Sequence, residues 1–319
     1  MPEDTSNLLT VAHIATETSC MHLALKKIKE IVEQESDPPL KVKIFPNGQQ
    51  GGEVEMVEKA RQNTVQAVLI STAVMSNYAP ALTAVTLPYL FKDVPSVKSF
   101  MTSGVSRTIL KSLEGASLIG LGYCYNNFFN LFIGRRSSLT GIHILRDISG
   151  QPFRAGQSAI WADMIDALGF KAVSVPFPGL EAGLTTGEVD GCDGIISIMD
   201  DLGYERLIKS ITLSKHWVGL PVFSIYEDFF RALSSKNQNI IKKAADNIFE
   251  DFLDKAVADQ ENERAINSFE KKGVEVVRLD TDVIDSFAKA TRVVHEKYEN
   301  VIGKELLHDL YKICGYTIH

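Results

Sequence analysis

The sequence has little that could bind a metal ion or support a disulfide framework. Its four cysteines lie far apart without a C-x-x-C pair, and its seven histidines are scattered without an H-E-x-x-H motif. These absences exclude a zinc site that could be recognised from spacing, and no cofactor is indicated. We expect free, partly buried thiols, and one disulfide stays open as the alternative. The cysteines are Cys20, Cys124, Cys192 and Cys314.

The sequence also lacks long hydrophobic runs and an excess of positive charge. No apolar run approaches the roughly 20 residues that cross a bilayer. Residues 1–7 are polar and predict a start from which an export segment has been removed. The formal net charge of -7 argues against a nucleic acid partner, because phosphate contacts need clustered Lys and Arg. With 319 residues, 45% of them hydrophobic, the chain is expected to form about two globular domains.

Motifs typical of common α/β enzymes are incomplete. The Gly-x-Gly at residues 120–122 has no third glycine and does not open a predicted helix, so it is not a dinucleotide site. Residues 156–160 lack the last glycine of G-x-S-x-G, and residues 303–304 have no phosphate-loop context. The sequence therefore favours binding over catalysis. An α/β enzyme without a recognisable motif and a ligand-binding sensor stay open as alternatives.

The pattern of apolar residues predicts an α/β fold. Apolar strands at 8–14, 40–45 and 67–71 alternate with amphipathic helices, which is typical of a parallel sheet covered by helices. Between Pro221 and Gly273 there is no proline or glycine, and apolar residues recur at intervals of three and four. This segment predicts one long helix that starts at Ser234 or Ser235 and ends at Gly273. Such a helix would reach about 55 Å and span two lobes.

Arg154 stands at the tip of a short predicted strand, just ahead of a helix that begins near residue 159. In α/β sheets, ligands bind in the crevice beyond the strand ends. A guanidinium offers five hydrogen-bond donors in a fixed fork, and this geometry matches a carboxylate, which it binds through two parallel hydrogen bonds. An ion pair with a local aspartate is the alternative for this stretch taken alone.

Four segments of the sequence carry a resemblance to a known family: residues 45–53, 87–91, 147–154 and 176–191. In this order they resemble the solute-binding proteins of tripartite ATP-independent periplasmic (TRAP) transporters, of the DctP type. The resemblance extends from about residue 8 to residue 310. It implies an α/β, two-lobed, periplasmic-binding-protein-like fold, with a ligand cleft between the lobes and a long helix spanning both.

The same resemblance implies a function and its partners. We expect an extracytoplasmic solute-binding subunit that captures a small organic acid and delivers it to small and large membrane subunits. The expected location is the periplasm, with a lipid anchor and an accessory periplasmic protein as further expectations. Hinge closure of the two lobes should follow ligand binding.

We expect each lobe to be built from separate parts of the chain. Lobe I should comprise residues 1–131 plus 220–259, and lobe II residues 132–219 plus 260–319. Crossing strands and the long helix should form the hinge. The predicted crossings lie at residues 129–133, 217–221 and 256–261.

The resemblance also implies binding roles for individual residues. Arg154 falls on the family's arginine that pairs with the ligand carboxylate, and Phe177 on an aromatic residue that packs against the ligand. Gln157 falls on a polar position nearby, and Ser71 on a cleft position of the first lobe. The other residues that we expect to line the cleft are Phe129, Asn130, Asp193, Trp217 and Ile14.

Two positions depart from the family pattern and bear on the ligand. Phe129 stands where the family often has a second arginine, and Asp193-Gly194 stands where it often has Glu-Asn. The first change removes a cation and the second removes an amide. Polar ligand groups without partners would cost about 1–3 kcal/mol each, whereas apolar surface gains about 25 cal/mol per Å² on burial. The sequence therefore predicts a hydrophobic monocarboxylate rather than a sialic acid or a dicarboxylate.

Overall fold

The computed structural model describes residues 7–316; residues 1–6 and 317–319, and with them most of the polar start, lie outside the described part. Within residues 7–316, the strands are β1 (Leu8–His13), β2 (Lys41–Phe45), β3 (Ala67–Ile70), β4 (Leu118–Tyr123), β5 (Phe128–Gly134), β6 (Pro152–Ala155), β7 (Lys171–Ser174), β8 (Gly191–Gly194), β9 (Ile208–Val218), β10 (Val222–Tyr226) and β11 (Glu275–Val277). The helices are α1 (Cys20–Glu35), α2 (Glu53–Arg61), α3 (Thr72–Met75), α4 (Val94–Met101), α5 (Gly104–Lys111), α6 (Ala159–Ala167), α7 (Leu180–Thr186), α8 (Ile196–Asp201), α9 (Glu227–Ala232), α10 (Ser235–Asp254), α11 (Val257–Lys271), α12 (Thr281–Ile302) and α13 (Lys304–Cys314).

The first sheet has the strand order β2-β1-β3-β10-β4. β1 is parallel to β2 and β3, whereas β10 is antiparallel to its neighbours β3 and β4. Helices α1 and α2 connect the three parallel strands, so the predicted β-α-β-α-β start is confirmed. All four residues of β3 are buried, because a parallel strand is covered by helices on both faces.

The second sheet has the strand order β11-β9-β5-β8-β6-β7. β5 is antiparallel to β8 and β9, and β6 is parallel to β7 and β8. The register places Phe129 opposite Trp217 and Arg154 opposite Cys192. Pairing between strands that are distant in sequence therefore brings several of the predicted site residues to one region of the sheet.

The chain passes between the two sheets more than once. Residues 124–127 lead from β4 in the first sheet to β5 in the second, and residues 219–221 lead from β9 back to β10. Each sheet is thus assembled from separate parts of the chain. The prediction of a two-lobed α/β fold is confirmed.

The prediction of one unbroken helix from residue 235 to residue 273 was wrong. Ser234 caps α10 as expected, with its hydroxyl accepting from the Asn237 N–H, but α10 ends at Asp254. Ala256 then adopts a left-handed backbone with φ 51° before α11 begins. On the far side of the break, the Asp259 carboxylate accepts from Tyr125 Oη at 2.9 Å and from Asn127 Nδ2 at 2.7 Å. These bonds hold the start of α11 against the 124–127 crossing, and sequence periodicity does not show them.

Helix packing bears on where one lobe ends and the other begins. α10 packs against α1 and β4, and α11 packs against α8 and β11. We propose that the lobe boundary lies near residue 256, close to the boundary at 259 and 260 expected from the sequence. α13 packs against α4 and α5, and α5 packs on β4 of the first sheet. We therefore propose that residues 304–314 belong with lobe I, in place of the lobe II assignment made from the sequence.

Candidate ligand-binding site

A cavity of about 60 Å³ lies where elements from the two sheets face each other. Seven of the nine residues expected in the cleft line it: Ile14, Ser71, Phe129, Arg154, Phe177, Asp193 and Trp217. Further wall residues, named in the order of the chain, are Met21, Glu53, Thr72, Ala73, Asn126, Trp161, Gly194, Ile195, Ile198, Met199, Val218, Gly219, Leu220 and Pro221. Most of this wall is apolar.

Arg154 is held by the strands around it. It is the third residue of β6, and its Nε donates to the carbonyl oxygen of Val175 at 2.9 Å, just beyond β7. This bond fixes the direction of the side chain and leaves the terminal nitrogens for another partner. Only 2% of the residue is exposed to solvent.

The Arg154 guanidinium has no ion pair with any residue in the described part of the chain. Its Cζ lies 4.8 Å from the centre of the Trp161 ring and 5.9 Å from the centre of the Phe177 ring. Such cation–π contacts contribute about 0.5–2 kcal/mol, less than the cost of burying a lone charge. The arrangement is thus suited to an anion that enters the cavity.

An aromatic cluster of Phe129, Trp161 and Trp217 forms one side of the cavity. The Trp161 ring centre lies 4.8 Å from that of Trp217 and 5.6 Å from that of Phe129, and Phe129 and Trp217 are 4.9 Å apart. All three contacts are edge-to-face, the geometry that aromatic rings prefer. Gly156 permits this placement, because any side chain at that position would overlap the Trp161 ring. The cluster therefore depends on residues from β5, β9 and α6.

Asp193 belongs to a buried hydrogen-bond network behind this cluster. Its carboxylate accepts from Trp161 Nε1 at 2.9 and 3.0 Å and contacts His216 Nε2 at 3.3 Å. His216 Nδ1 lies 2.8 Å from the hydroxyl oxygen of Ser214. The hydrogen bonds that Asp193 accepts fix the orientation of Trp161 above Arg154.

The chain of Ser214, His216 and Asp193 resembles the residue set of a hydrolase, but its geometry does not suit that chemistry. Ser214 and His216 are fully buried. The serine lies next to the histidine nitrogen that faces away from the cavity-lining aspartate. No substrate in the cavity could reach the hydroxyl, so we assign the network a positioning role.

Glu53, the first residue of α2, is a second buried carboxyl group on the cavity wall. Its Oε1 accepts from the Ser71 N–H at 2.8 Å, and its Oε2 accepts from the Ser71 hydroxyl at 3.1 Å. Burial raises the pKa of Glu53 above its ordinary value, although the Ser71 bonds and the Arg154 charge act in the other direction. Glu53 was not among the residues expected from the sequence to line the cleft.

Two residues expected in the cleft lie outside the cavity wall. The carbonyl oxygen of Gln157 accepts from Asn77 Nδ2 at 2.7 Å, a contact between β6–α6 and α3. Asn130 donates to the carbonyl oxygen of Phe128 at 2.9 Å and accepts from the Lys215 N–H at 3.3 Å. Asn130 therefore satisfies backbone groups at the irregular part of the β5–β9 pairing. Neither residue lines the cavity, and a ligand contact by either stays a prediction.

Some wall residues could not be identified from the sequence. Trp161 follows Arg154 by seven residues, and its position in the first turn of α6 was the available signal. The aliphatic residues Ile195, Ile198 and Met199 carry no local mark of a binding role. They reach the cavity only because α8 follows β8 next to Asp193.

The described residues contain no group of three or more His, Cys, Asp or Glu that could hold a metal ion. The four cysteines are buried free thiols. Among residues 7–316, none of the helices has the length and apolar character needed to cross a membrane.

The sequence model of the DctP family, described as bacterial extracellular solute-binding protein family 7, matches residues 11–300. The chain is 25% identical over 304 residues to the C4-dicarboxylate-binding protein DctB of Bacillus subtilis, covering 95% of this chain and 85% of that protein. It is similar, with a TM-score of 0.89 and 25% identity over 97% of each chain, to a sugar acid binding protein from Advenella mimigardefordensis in complex with galactonate. A TRAP periplasmic solute binding protein from Desulfovibrio salexigens, with bound orotic acid, has a TM-score of 0.91 at 20% identity, over 97% of this chain and 99% of that chain.

The family match covers most of the residues that build both sheets, and the similar structures share the whole fold. The cavity lies between the two sheets and their helices. The chain therefore belongs to the DctP family, the solute-binding proteins of TRAP transporters.

Proposed function

We propose that the protein captures a small organic acid in the periplasm and delivers it to the small and large membrane subunits of a TRAP transporter. The observation that carries this proposal is Arg154, a buried cation on the cavity wall without an ion pair among the described residues. An acid carboxylate would supply the missing charge through two parallel hydrogen bonds. The periplasmic location, a lipid anchor and an accessory periplasmic protein belong to the same proposal and rest on the family.

We further propose that the acid is a monocarboxylate with a hydrophobic body. Arg154 is the only cation among the described residues that line the cavity, so a second carboxylate would have no positive partner there. Where a second cation would be needed, the wall has the aromatic rings of Phe129, Trp161 and Trp217. Similar proteins are named for C4-dicarboxylates and galactonate, so this finer part of the proposal separates the present chain from them.

The size of the cavity supports a compact ligand. A bound water needs about 10–15 Å³ of such space, so roughly 60 Å³ holds about four to six water-sized groups. A carboxylate with a short aliphatic body fits this volume more readily than a sugar acid does. The lobes would have to close less completely around a larger ligand.

A ligand panel tests the proposal. The only two tryptophans of the chain, Trp161 and Trp217, line the cavity, so intrinsic fluorescence reports directly on binding. We expect butanoate, 3-methylbutanoate and their 2-oxo derivatives to change the fluorescence and to raise the melting temperature, since a ligand at 100 times its Kd stabilises by about 2.7 kcal/mol. Succinate, malate and galactonate serve as the comparison set. Stabilisation by the polar diacids or sugar acids alone would contradict the hydrophobic monocarboxylate, and mass spectrometry of co-purified ligand gives an independent answer.

A further inference from the structure

We infer that Trp217 is a specificity-determining residue whose indole N–H binds a second oxygen of the ligand, and that the ligand is a 2-oxo monocarboxylate. This inference rests on the proposed function, since it assumes that an acid occupies the cavity with its carboxylate on Arg154. It adds a second hydrogen bond and, with it, a narrower class of acid.

The indole N–H of Trp217 has no partner in the described part of the chain. The residue is 4% exposed and lines the cavity, and its Nε1 is buried without a hydrogen-bond acceptor. Of the buried side-chain atoms without a partner among residues 7–316, it is the one whose residue lines the cavity. Buried donors are rarely left unpaired, so this one points to an acceptor supplied from outside the chain.

The surroundings of Trp217 explain why the protein itself supplies no acceptor. Its ring packs edge-to-face against Phe129 and Trp161, at centre distances of 4.9 and 4.8 Å. Trp161 differs in this respect, because its Nε1 donates to the Asp193 carboxylate at 2.9 Å. In the described part of the chain, the indole N–H of Trp161 therefore has a hydrogen-bond acceptor, whereas that of Trp217 has none.

The carboxylate and amide oxygens of the cavity wall already accept hydrogen bonds within the chain. Both Glu53 oxygens accept from Ser71, and the Asp193 carboxylate is occupied by Trp161 and His216.

Asn126 Oδ1 accepts from the Cys20 thiol at 3.2 Å. Among the described wall side chains, the N–H groups without a partner are the terminal nitrogens of Arg154 and the indole N–H of Trp217. A carboxylate with a neighbouring carbonyl oxygen offers acceptors to both. A hydroxyl group or an ammonium group also brings hydrogens, and the hydroxyl of Thr72 is the wall side-chain oxygen without a donor among the described residues that could accept one of them.

The experiment compares acids that differ at one position. Calorimetry measures the Kd of butanoate, 2-oxobutanoate and 2-hydroxybutanoate with the wild type, Trp217→Phe and Trp161→Phe. Phenylalanine keeps an aromatic ring and removes the N–H together with part of the indole, and Trp161→Phe controls for that loss of ring area. In the wild type we expect 2-oxobutanoate to bind about 5- to 10-fold more tightly than butanoate, because the oxo group gains one hydrogen bond. In Trp217→Phe this ratio should fall to about one, whereas Trp161→Phe should keep it while weakening both acids alike.

The outcomes separate the inference from the proposal beneath it. If none of the three acids binds the wild type, the proposed monocarboxylate function fails. If butanoate and 2-oxobutanoate bind equally, or if Trp217→Phe keeps the wild-type ratio, the role of Trp217 is wrong while the proposed function stands. Equal or tighter binding of 2-hydroxybutanoate would overturn the 2-oxo class. The wild-type comparison of the three acids decides the ligand class even if a variant does not fold.

Discussion

Arg154 shows how a single residue carries a function at a cost in stability. Its guanidinium is buried, its Nε is bound by the Val175 carbonyl, and no carboxylate of the described residues pairs with it. A side chain retained only for stability would not be expected in this state, because an uncompensated buried charge is costly. A binding role explains why it is there, since the ligand supplies the counter-charge.

Replacing Arg154 therefore separates the two roles. Arg154→Met should weaken binding of the acid at least about tenfold, because a hydrogen bond to a charged group contributes about 1.5–3 kcal/mol. Arg154→Lys should recover little of this loss, since the forked geometry is absent. The ligand-free Arg154→Met protein should be at least as stable as the wild type in chemical denaturation. A variant that loses stability together with binding would identify Arg154 as a structural residue.

At the scale of one element, the break between α10 and α11 sets the path of the chain between the lobes. Ala256 has φ 51°, a left-handed conformation that costs an L-residue about 1–2 kcal/mol. The Asp259 bonds to Tyr125 and Asn127 on the neighbouring crossing hold α11 in place. The strain at Ala256 is thus maintained by the contacts of Asp259 with residues that are 134 and 132 positions away from it in the sequence.

Ala256→Gly should raise the free energy of unfolding by about 0.5–1 kcal/mol, because glycine adopts this backbone freely and loses part of that gain as chain entropy. The midpoint of denaturation with urea measures the change. Ala258→Gly is the matched control, since Ala258 lies inside α11 and a glycine there should lower stability by about 1 kcal/mol. A decrease for both variants would show that the left-handed conformation at Ala256 does not persist in solution.

At the scale of the whole molecule, side chains near the cleft form hydrogen bonds that connect the two lobes. The hydroxyls of Thr16 and Thr18, in the loop after β1, donate to Asp201 Oδ2 at 2.7 and 2.6 Å, and Asp201 ends α8. On another part of the cleft, Asn77 donates to the carbonyl oxygen of Gln157. Because these bonds join residues of the two lobes, we propose that they stabilise the closed state selectively.

Asp201→Ala should increase the dissociation rate of the bound acid about 3- to 10-fold, since two exposed hydrogen bonds that favour closure are lost. Stopped-flow tryptophan fluorescence measures the rate. Asp251→Ala, which removes an exposed carboxylate paired with Lys255 within one lobe, should leave the rate unchanged. Equal rates for wild type and Asp201→Ala would mean that these contacts do not control release.

Two buried histidines make the stability of the whole molecule depend on pH. Burial lowers the pKa of His13 to about 3 and that of His295 to about 4, from an ordinary value of 6.5. His295 Nε2 donates to the carbonyl oxygen of Pro88 at 2.7 Å, and its Nδ1 accepts from Tyr311 at 2.8 Å, so the neutral ring joins α12, α13 and the 88–92 loop. Between pH 6.5 and 4 the unfolded chain binds protons that the folded protein does not. Stability should therefore be complete above pH 6.5 and should fall as the pH decreases.

Each of these histidines should contribute about 1.4 kcal/mol per pH unit to the slope of that loss. Unfolding free energies of wild type and His295→Gln, measured by urea denaturation from pH 7.5 to 4.5, test the contribution of His295. Below pH 6 the unfolding free energy of the variant should decrease less steeply with falling pH than that of the wild type. A difference between the two proteins at pH 7.5 reports only the contacts that the substitution alters. Parallel curves over the whole range would contradict the assignment.

The local pattern of the sequence was sufficient for the first strands and helices of the chain and for one site residue. The alternation of apolar strands and amphipathic helices determined the β-α-β-α-β start, because burial of one helix face and of parallel strands depends on residue spacing alone. Arg154 could be singled out because a strand end before a helix is a place where α/β folds bind ligands, and the structure places it on the cavity wall. The aromatic positions Phe129, Phe177 and Trp217 reach the same wall.

Only the tertiary structure decided how these residues act. The break at Ala256 has no glycine or proline to mark it, and the Asp259 contacts that hold it join residues 134 and 132 positions apart. The engaged N–H of Trp161 and the free N–H of Trp217 look alike in the sequence, because the difference depends on Asp193, 32 residues from Trp161. Gln157, two residues after the β6 strand, accepts from Asn77 through its backbone carbonyl and does not line the cavity. Hydrogen bonds between distant segments form only after the sheets pair, so spacing along the chain carries no record of them.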